Sequence, residues 1–166
     1  MTNKPWVLII MGSDSDAETM SHAAAALDEL GVPYEFTVAS AHRSPERTRR
    51  IVTESEANGA VVFIAGAGMA AHLPGVVASL TARPVIGVPL ASGALQGVDA
   101  LYAIVQMPPG IPVASVAIGG ARNAGILAAQ IIATSDPALA ARMSEQRQSM
   151  AAAVTAKSKK VEKSTR

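Results

Sequence analysis

Three short segments hold most of the side chains in this chain that could bind an anion or move a proton. Ser40-Ala41-His42-Arg43-Ser44-Pro45-Glu46 sets a histidine beside an arginine, just ahead of a helix-start signature. An imidazole, with an unperturbed pKa of about 6.5, can give and take a proton near neutrality. A guanidinium offers a planar fork for phosphate. The bland alternative is a surface histidine beside a salt-bridged arginine. Met11-Gly12-Ser13-Asp14-Ser15-Asp16 combines a glycine, two hydroxyls and two carboxylates at the start of another helical period. Helix N-termini favour anions, so Gly12, Ser13 and Ser15 form a candidate phosphate cradle, with Asp16 suited to ribose hydroxyls. Simple capping by Ser13 and Ser15 fits equally well. The third segment, Ala65 to Gly75, reads Ala-Gly-Ala-Gly-Met-Ala-Ala-His-Leu-Pro-Gly. Its small residues let backbone approach a ligand closely, although Gly68 could instead serve strand–helix packing. His72 could close over a ligand or cap the following helix. His22 lies inside a helical period and is expected to be structural or exposed.

The elements that must position these segments alternate between strand and helix. Trp6–Met11 is an apolar run ending at Gly12, a buried-strand pattern. Ser15 to Glu18 reads Ser-x-x-Glu, a capping box, and Met20, Ala24, Leu27 and Leu30 keep helical spacing up to Gly31. Tyr34–Ala39 reads as a second strand. Ser44-Pro45-Glu46 supplies an N-cap, a first-turn proline and an acidic residue for a helix reaching about Asn58-Gly59. Ala60–Ala65, Pro84–Val88 and Val113–Ile118 read as strands three to five. A short helix is expected after the third segment, then helices over Gly97–Gln106, Asn123–Thr134 and from Ser135-Asp136-Pro137 onward. Strands separated by helices imply right-handed crossovers and a mainly parallel sheet. The expectation is a flavodoxin-like three-layer α/β fold, with a five-stranded sheet and a C-terminal helical extension. In such folds ligands bind at the carboxyl ends of the strands, near the switch in strand order, where the three segments fall.

Composition narrows the function classes. The 166 residues are 49% apolar and 16% charged, with one Trp, two Tyr and two Phe. So few aromatic rings argue against a stacked flat cofactor and against base stacking on single-stranded nucleic acid. Without cysteine, a disulfide framework, a thiolate nucleophile and a Cys-based zinc site are excluded; three well-separated histidines point to no metal. The last ten residues carry five basic side chains and one acidic, net +4, leaving the body at −3. The expected division is a single α/β domain over 1–156, including the C-terminal helix, and a frayed basic tail over 157–166. Asn58 to Ala82 has no charged residue, a length that could span a bilayer. Its glycines, His72 and Pro74 favour a buried parallel strand instead. With neither a basic n-region nor a cleavage site at the start, the expectation is a cytoplasmic protein without membrane or nucleic-acid partners.

Five segments, in order, resemble one family. They are Met11–Asp16 (MGSDSD), Ser40–Glu46 (SAHRSPE), Ile64–Gly75 (IAGAGMAAHLPG), Gly97–Pro108 (GVDALYAIVQMP) and Gly110–Gly125 (GIPVASVAIGGARNAG). On these the chain resembles the bacterial-type 5-(carboxyamino)imidazole ribonucleotide mutases, the class I phosphoribosylaminoimidazole carboxylase catalytic-subunit family. Met69 stands where many members have glycine, and Gly119–Asn123 is shorter than in some.

The resemblance implies an isomerase of purine (IMP) biosynthesis. It would shift a carboxyl group from the exocyclic nitrogen of an aminoimidazole ribonucleotide to a ring carbon, without ATP, metal or cofactor. Carried over residue by residue, it implies His42 as the catalytic acid and base. Arg43, Ser13 and Ser40 would hold the phosphate, and Asp16 the ribose. Gly12 and Ser15 would belong to the same loop, while Gly68 and His72 pack over the imidazole and carboxylate. It further implies a homo-octamer and a functional link to an ATP-dependent carboxyaminoimidazole ribonucleotide synthetase. A related class carboxylates the unmodified ribonucleotide directly with carbon dioxide; it tends to carry lysine after the equivalent histidine, so Arg43 and Ala70–Gly75 lean towards the mutase. A non-catalytic flavodoxin-like nucleotide-binding module is the other alternative. A flavin carrier would want aromatics in these loops, and a phospho-receiver an Asp at the end of strand three, where Ala65-Gly66 stands.

Overall fold

A computed structural model describes residues 5–164. Five strands, β1 (Trp6–Met11), β2 (Tyr34–Val38), β3 (Ala60–Gly68), β4 (Val85–Leu90) and β5 (Ala114–Ser115), form one sheet in the order β2-β1-β3-β4-β5. Every pairing is parallel. This is the flavodoxin-like arrangement, and its order reverses between β1 and β3. Six helices connect and cover the strands: α1 (Ala17–Leu30), α2 (Pro45–Ala57), α3 (Leu73–Ala78), α4 (Val98–Val105), α5 (Ala121–Ala133) and α6 (Pro137–Ser164).

The alternation of side chains along each strand divides the core in two. Val7, Ile9, Met11, Val62, Ile64 and Val88 face α1, α5 and the start of α6. Leu8, Ile10, Phe63, Ala65 and Val85 face residues of α2, α3 and α4. With both faces covered, β1, β3 and β4 are continuous apolar runs. Small residues bring the layers together. A Cβ on Gly125 of α5 would lie 2.5 Å from the Ala23 carbonyl oxygen of α1. A bidentate pair, Arg122 to Glu29, joins the same two helices at 2.9 and 2.7 Å.

The local structure departs from the sequence pattern at several points. The Ser15-to-Glu18 capping box does not form, because a 3₁₀ turn over Asp14–Asp16 comes first and Ser13 caps that turn. Ser44 precedes α2, but its Oγ turns back to the Ser40 carbonyl at 3.1 Å. β3 runs three residues beyond Ala65, since Gly66, Ala67 and Gly68 pair with Val88, Pro89 and Leu90. β5 is only two residues long. α5 starts two residues earlier than its apolar spacing suggests. The expected frayed tail at 157–166 falls partly outside the described residues; within them α6 is helical to Ser164, with Lys157, Lys159 and Lys160 exposed. Among the described residues, no helix is long and apolar enough to cross a membrane.

Candidate active site

The carboxyl ends of β1, β2, β3 and β4 surround a cavity of about 430 Å³. It sits at the reversal of strand order, where the crossovers leave a crevice. From the β1 loop come Gly12, Ser13, Ser15 and Asp16; from the β2 loop Ser40, His42 and Arg43; from β3 Gly68. The structure thus brings together eight of the nine site residues expected from the sequence, and the ninth, His72, touches His42.

Local hydrogen bonds shape the polar half. Ser15 Oγ donates to Ser13 Oγ at 2.9 Å, and Ser13 Oγ donates to Asp14 Oδ1 at 3.1 Å. The Ser15 N–H donates to Asp14 Oδ1 at 3.1 Å. A Cβ on Gly12 would meet nothing within 4 Å, so core packing does not require glycine there. In the β2 loop the Arg43 N–H donates to Ser40 Oγ at 3.2 Å, and Arg43 Nη2 donates to the Gly12 carbonyl at 3.2 Å. That second bond carries the guanidinium across to the β1 loop, between the hydroxyls of two chain segments.

Asp16 is half-buried, and burial pushes its carboxyl above the ordinary carboxylate value, with the charge of Asp14 acting in the same direction. Hydrogen bonding to the Ser13 backbone and the Ser15 side chain opposes the rise. Such a carboxylate is held partly desolvated beside hydroxyl donors, a setting suited to accept hydrogen bonds from a diol.

His42 and His72 lie thirty positions apart in sequence, yet Nε2 of His42 is 2.8 Å from Nδ1 of His72. The rings meet edge to face, with centroids 5.0 Å apart and planes at 86°. His72 occupies the N-cap position of α3, but its side chain does not cap the helix. Helix capping, one of its two expected roles, is therefore not seen, and the ring instead lies against the candidate acid–base residue. His22 is exposed on α1.

The other half of the cavity is different in character. Ala67, Gly68, Met69, Ala70 and Leu73 line it, with Ser92 from the segment after β4. Met69 takes a positive φ of 50°. Sequence reasoning missed Ser92. Its signal is a hydroxyl two residues past the carboxyl end of a parallel strand, with no motif around it. Among the described residues, no group of three or more His, Cys, Asp or Glu is placed to hold a metal ion. A larger hollow, about 810 Å³, opens near the start of β4. There Glu56 is engaged by Thr81 Oγ1 at 2.6 Å and Arg83 Nε at 3.4 Å, so its ionisable groups face each other rather than a ligand.

Comparison with known proteins places this architecture among relatives. A Synechocystis protein named N5-carboxyaminoimidazole ribonucleotide mutase is 54% identical over 159 residues, covering 96% of this chain and 90% of that protein. A Schizosaccharomyces pombe phosphoribosylaminoimidazole carboxylase is also 54% identical over 159 residues, which are 96% of this chain and 29% of that larger protein. The crystal structure of Treponema denticola PurE superimposes with a TM-score of 0.87 at 30% identity, covering 95% of this chain and 98% of that one. The family model for AIR carboxylase matches residues 6–153, and on that match and these identities the chain belongs to the AIR carboxylase family.

Proposed function

We propose that this chain is an isomerase converting 5-(carboxyamino)imidazole ribonucleotide into 5-amino-4-carboxyimidazole ribonucleotide in purine biosynthesis. The observation that carries the reading is the His42–His72 pair beside a cavity that has the Arg43 guanidinium in its polar half. A reaction that protonates one atom of a substrate and deprotonates another needs a single reversible acid and base held within reach of both.

Arg43, Ser13 and Ser40 take the phosphate, through a charge-assisted fork and hydroxyl donors. Asp16 accepts from the ribose hydroxyls. Gly12 and Ser15 shape the loop, and Gly68 and His72 close over the imidazole. The carbamate N–C bond breaks with its electron pair going to nitrogen, which takes a proton from His42. Carbon dioxide and an electron-rich aminoimidazole remain side by side in the cavity. The ring carbon attacks carbon dioxide, the new C–C bond forms, and neutral His42 removes the proton from that carbon. His42 ends as it began, so protons balance with one residue. Confinement supplies effective molarities of up to about 10⁵–10⁸ M, and acid–base catalysis about 10²–10⁴-fold.

Two exposed apolar stripes support self-association, including the octamer that the family resemblance implies. One runs through Leu95, Val98, Tyr102 and Val105, at helical spacing on and beside α4. The other is Met150, Val154 and Val161 on α6. Apolar patches of this kind mark contact surfaces. The carbamate substrate is labile, so an ATP-dependent synthetase working in the same compartment, the cytoplasm, fits as its source.

The deciding assay supplies synthetic carbamate substrate without ATP or metal, in parallel with the unmodified aminoimidazole ribonucleotide plus bicarbonate. Rapid isomerisation of the carbamate, with little gain from bicarbonate, supports the mutase. Preference for the unmodified ribonucleotide with carbon dioxide would make it a direct carboxylase. Inertness to both would leave a nucleotide-binding module.

A further inference from the structure

The cavity is divided by chemistry. All of its titratable side chains come from the loops after β1 and β2, whereas the wall from β3 and β4 is apolar except for one side-chain hydroxyl, that of Ser92. Ser92 is half-buried, and among the described residues its Oγ has no hydrogen-bond partner. Ser92 Oγ lies 2.7 Å from where a Cβ on Gly68 would stand, with the Leu90 carbonyl oxygen 3.3 Å from the same point. Gly68 therefore has to lack a side chain for the hydroxyl to sit against the wall. With no protein partner, this hydroxyl on the cavity wall keeps its O–H donor available to a ligand that enters.

We propose that Ser92 is a binding residue for the migrating carboxyl group, donating its Oγ–H to an oxygen of the carbamate, of the carbon dioxide set free from it, and of the new carboxylate. This rests on the isomerase reading above. Adjacent parallel strands lie about 4.8 Å apart, so the carboxyl ends of β2 and β4, three strand spacings apart in this sheet, are separated by roughly 14 Å. A nucleotide whose phosphate lies at Arg43 and whose ribose lies at Asp16 directs its base towards β3 and β4. Ala67, Met69, Ala70 and Leu73 offer carbon dioxide an apolar pocket with little to hold it in place. One hydroxyl on that wall gives it a fixed orientation towards the ring carbon and restrains its escape. No bond to Ser92 forms or breaks.

The test uses carbamate substrate labelled with ¹³C in the migrating carboxyl, turned over in unlabelled bicarbonate by wild type and Ser92→Ala. We expect kcat/KM to fall about tenfold, the scale of one lost hydrogen bond. The fraction of label retained in product should fall as well, with free aminoimidazole ribonucleotide accumulating. A purely structural role would change the melting temperature without changing how trapped carbon dioxide partitions. Ser92→Cys, of similar volume but a weaker donor, gives the same readout if the alanine variant folds poorly. Wild-type label retention and kcat/KM within about twofold of wild type in whichever variant folds, set against the roughly tenfold scale of a lost bond, would overturn the proposal alone. A wild-type protein inert to the carbamate would overturn the isomerase reading, and this inference with it.

Discussion

Nε2 of His42 and Nδ1 of His72 approach to 2.8 Å, so in the neutral pair one ring donates and the other accepts. The two facing nitrogens share one proton between them, so the tautomer of one neutral ring dictates that of the other. The pair thus couples the tautomers of two rings as well as joining two loops. His42→Asn should lower kcat by about 10²–10⁴-fold while nucleotide affinity by calorimetry stays near wild type. His72→Phe keeps an aromatic ring at the edge-to-face position and removes the polar partner. It should lower kcat by about tenfold and change the shape of the pH–rate profile. A His42→Asn variant with near-normal turnover would refute the assignment.

Asp16 sets function against stability. Burial raises its carboxyl above the ordinary value of 3.8, so folding favours the neutral form. Its contribution is most favourable below the unfolded value and is lost as pH rises through the raised folded value. Asp16→Asn should therefore raise the melting temperature of the ligand-free protein at neutral pH. That gain should shrink on acidification and vanish below about pH 3.8. Nucleotide affinity should fall in the same variant. A melting temperature lower than wild type at neutral pH would show that the carboxylate is stabilising after all.

Gly125 is held to its small size by the Ala23 carbonyl oxygen, 2.5 Å from the Cβ that a substitution would add. Gly125→Ala gains about 1 kcal/mol of helix propensity, but it has to push α5 off α1, an overpacking cost of about 1–3 kcal/mol. The expected net result is a lower urea midpoint with unchanged turnover per folded molecule. A variant more stable than wild type would show that the two helices separate easily.

Tyr102 is 60% exposed in the middle of the α4 stripe. Tyr102→Glu places a charge where the proposed self-association requires burial, and should reduce the assembly mass measured by light scattering. A mass identical to wild type would move the interface elsewhere.

Much of this was readable from the chain because apolar runs and their punctuation agree. Trp6–Met11 is strand from its first residue to its last, since six consecutive large or apolar residues followed by Gly12 leave little else for a buried segment to become. The loops after the first three strands converge because strand order brings them together, and Gly12, Ser13, Asp16, Ser40, His42 and Arg43 share one cavity for that reason. What escaped was long-range or locally ambiguous. Gly66–Gly68 reads as loop by composition, but pairing with β4 keeps it extended. Ser92 has no motif around it; only its place two residues past the end of β4 marks it. The contact between His42 and His72 spans the β2–α2–β3 crossover and has no spacing that a linear pattern could encode.

The continuation of β3 to Gly68 has a consequence for how the protein can vary. Its final residues are at once interior framework and cavity lining: a Cβ on Gly66 would run into Met20 of α1, and one on Gly68 into Ser92. Substitutions there should forfeit folding and turnover together, leaving few viable neutral neighbours. The β1 and β2 segments project from the framework, with Asp14, Ser15, His42 and Arg43 exposed, and can change without disturbing it. New specificity for the phosphate end is therefore accessible by single steps, whereas remodelling the carboxyl end would demand coordinated change across the sheet.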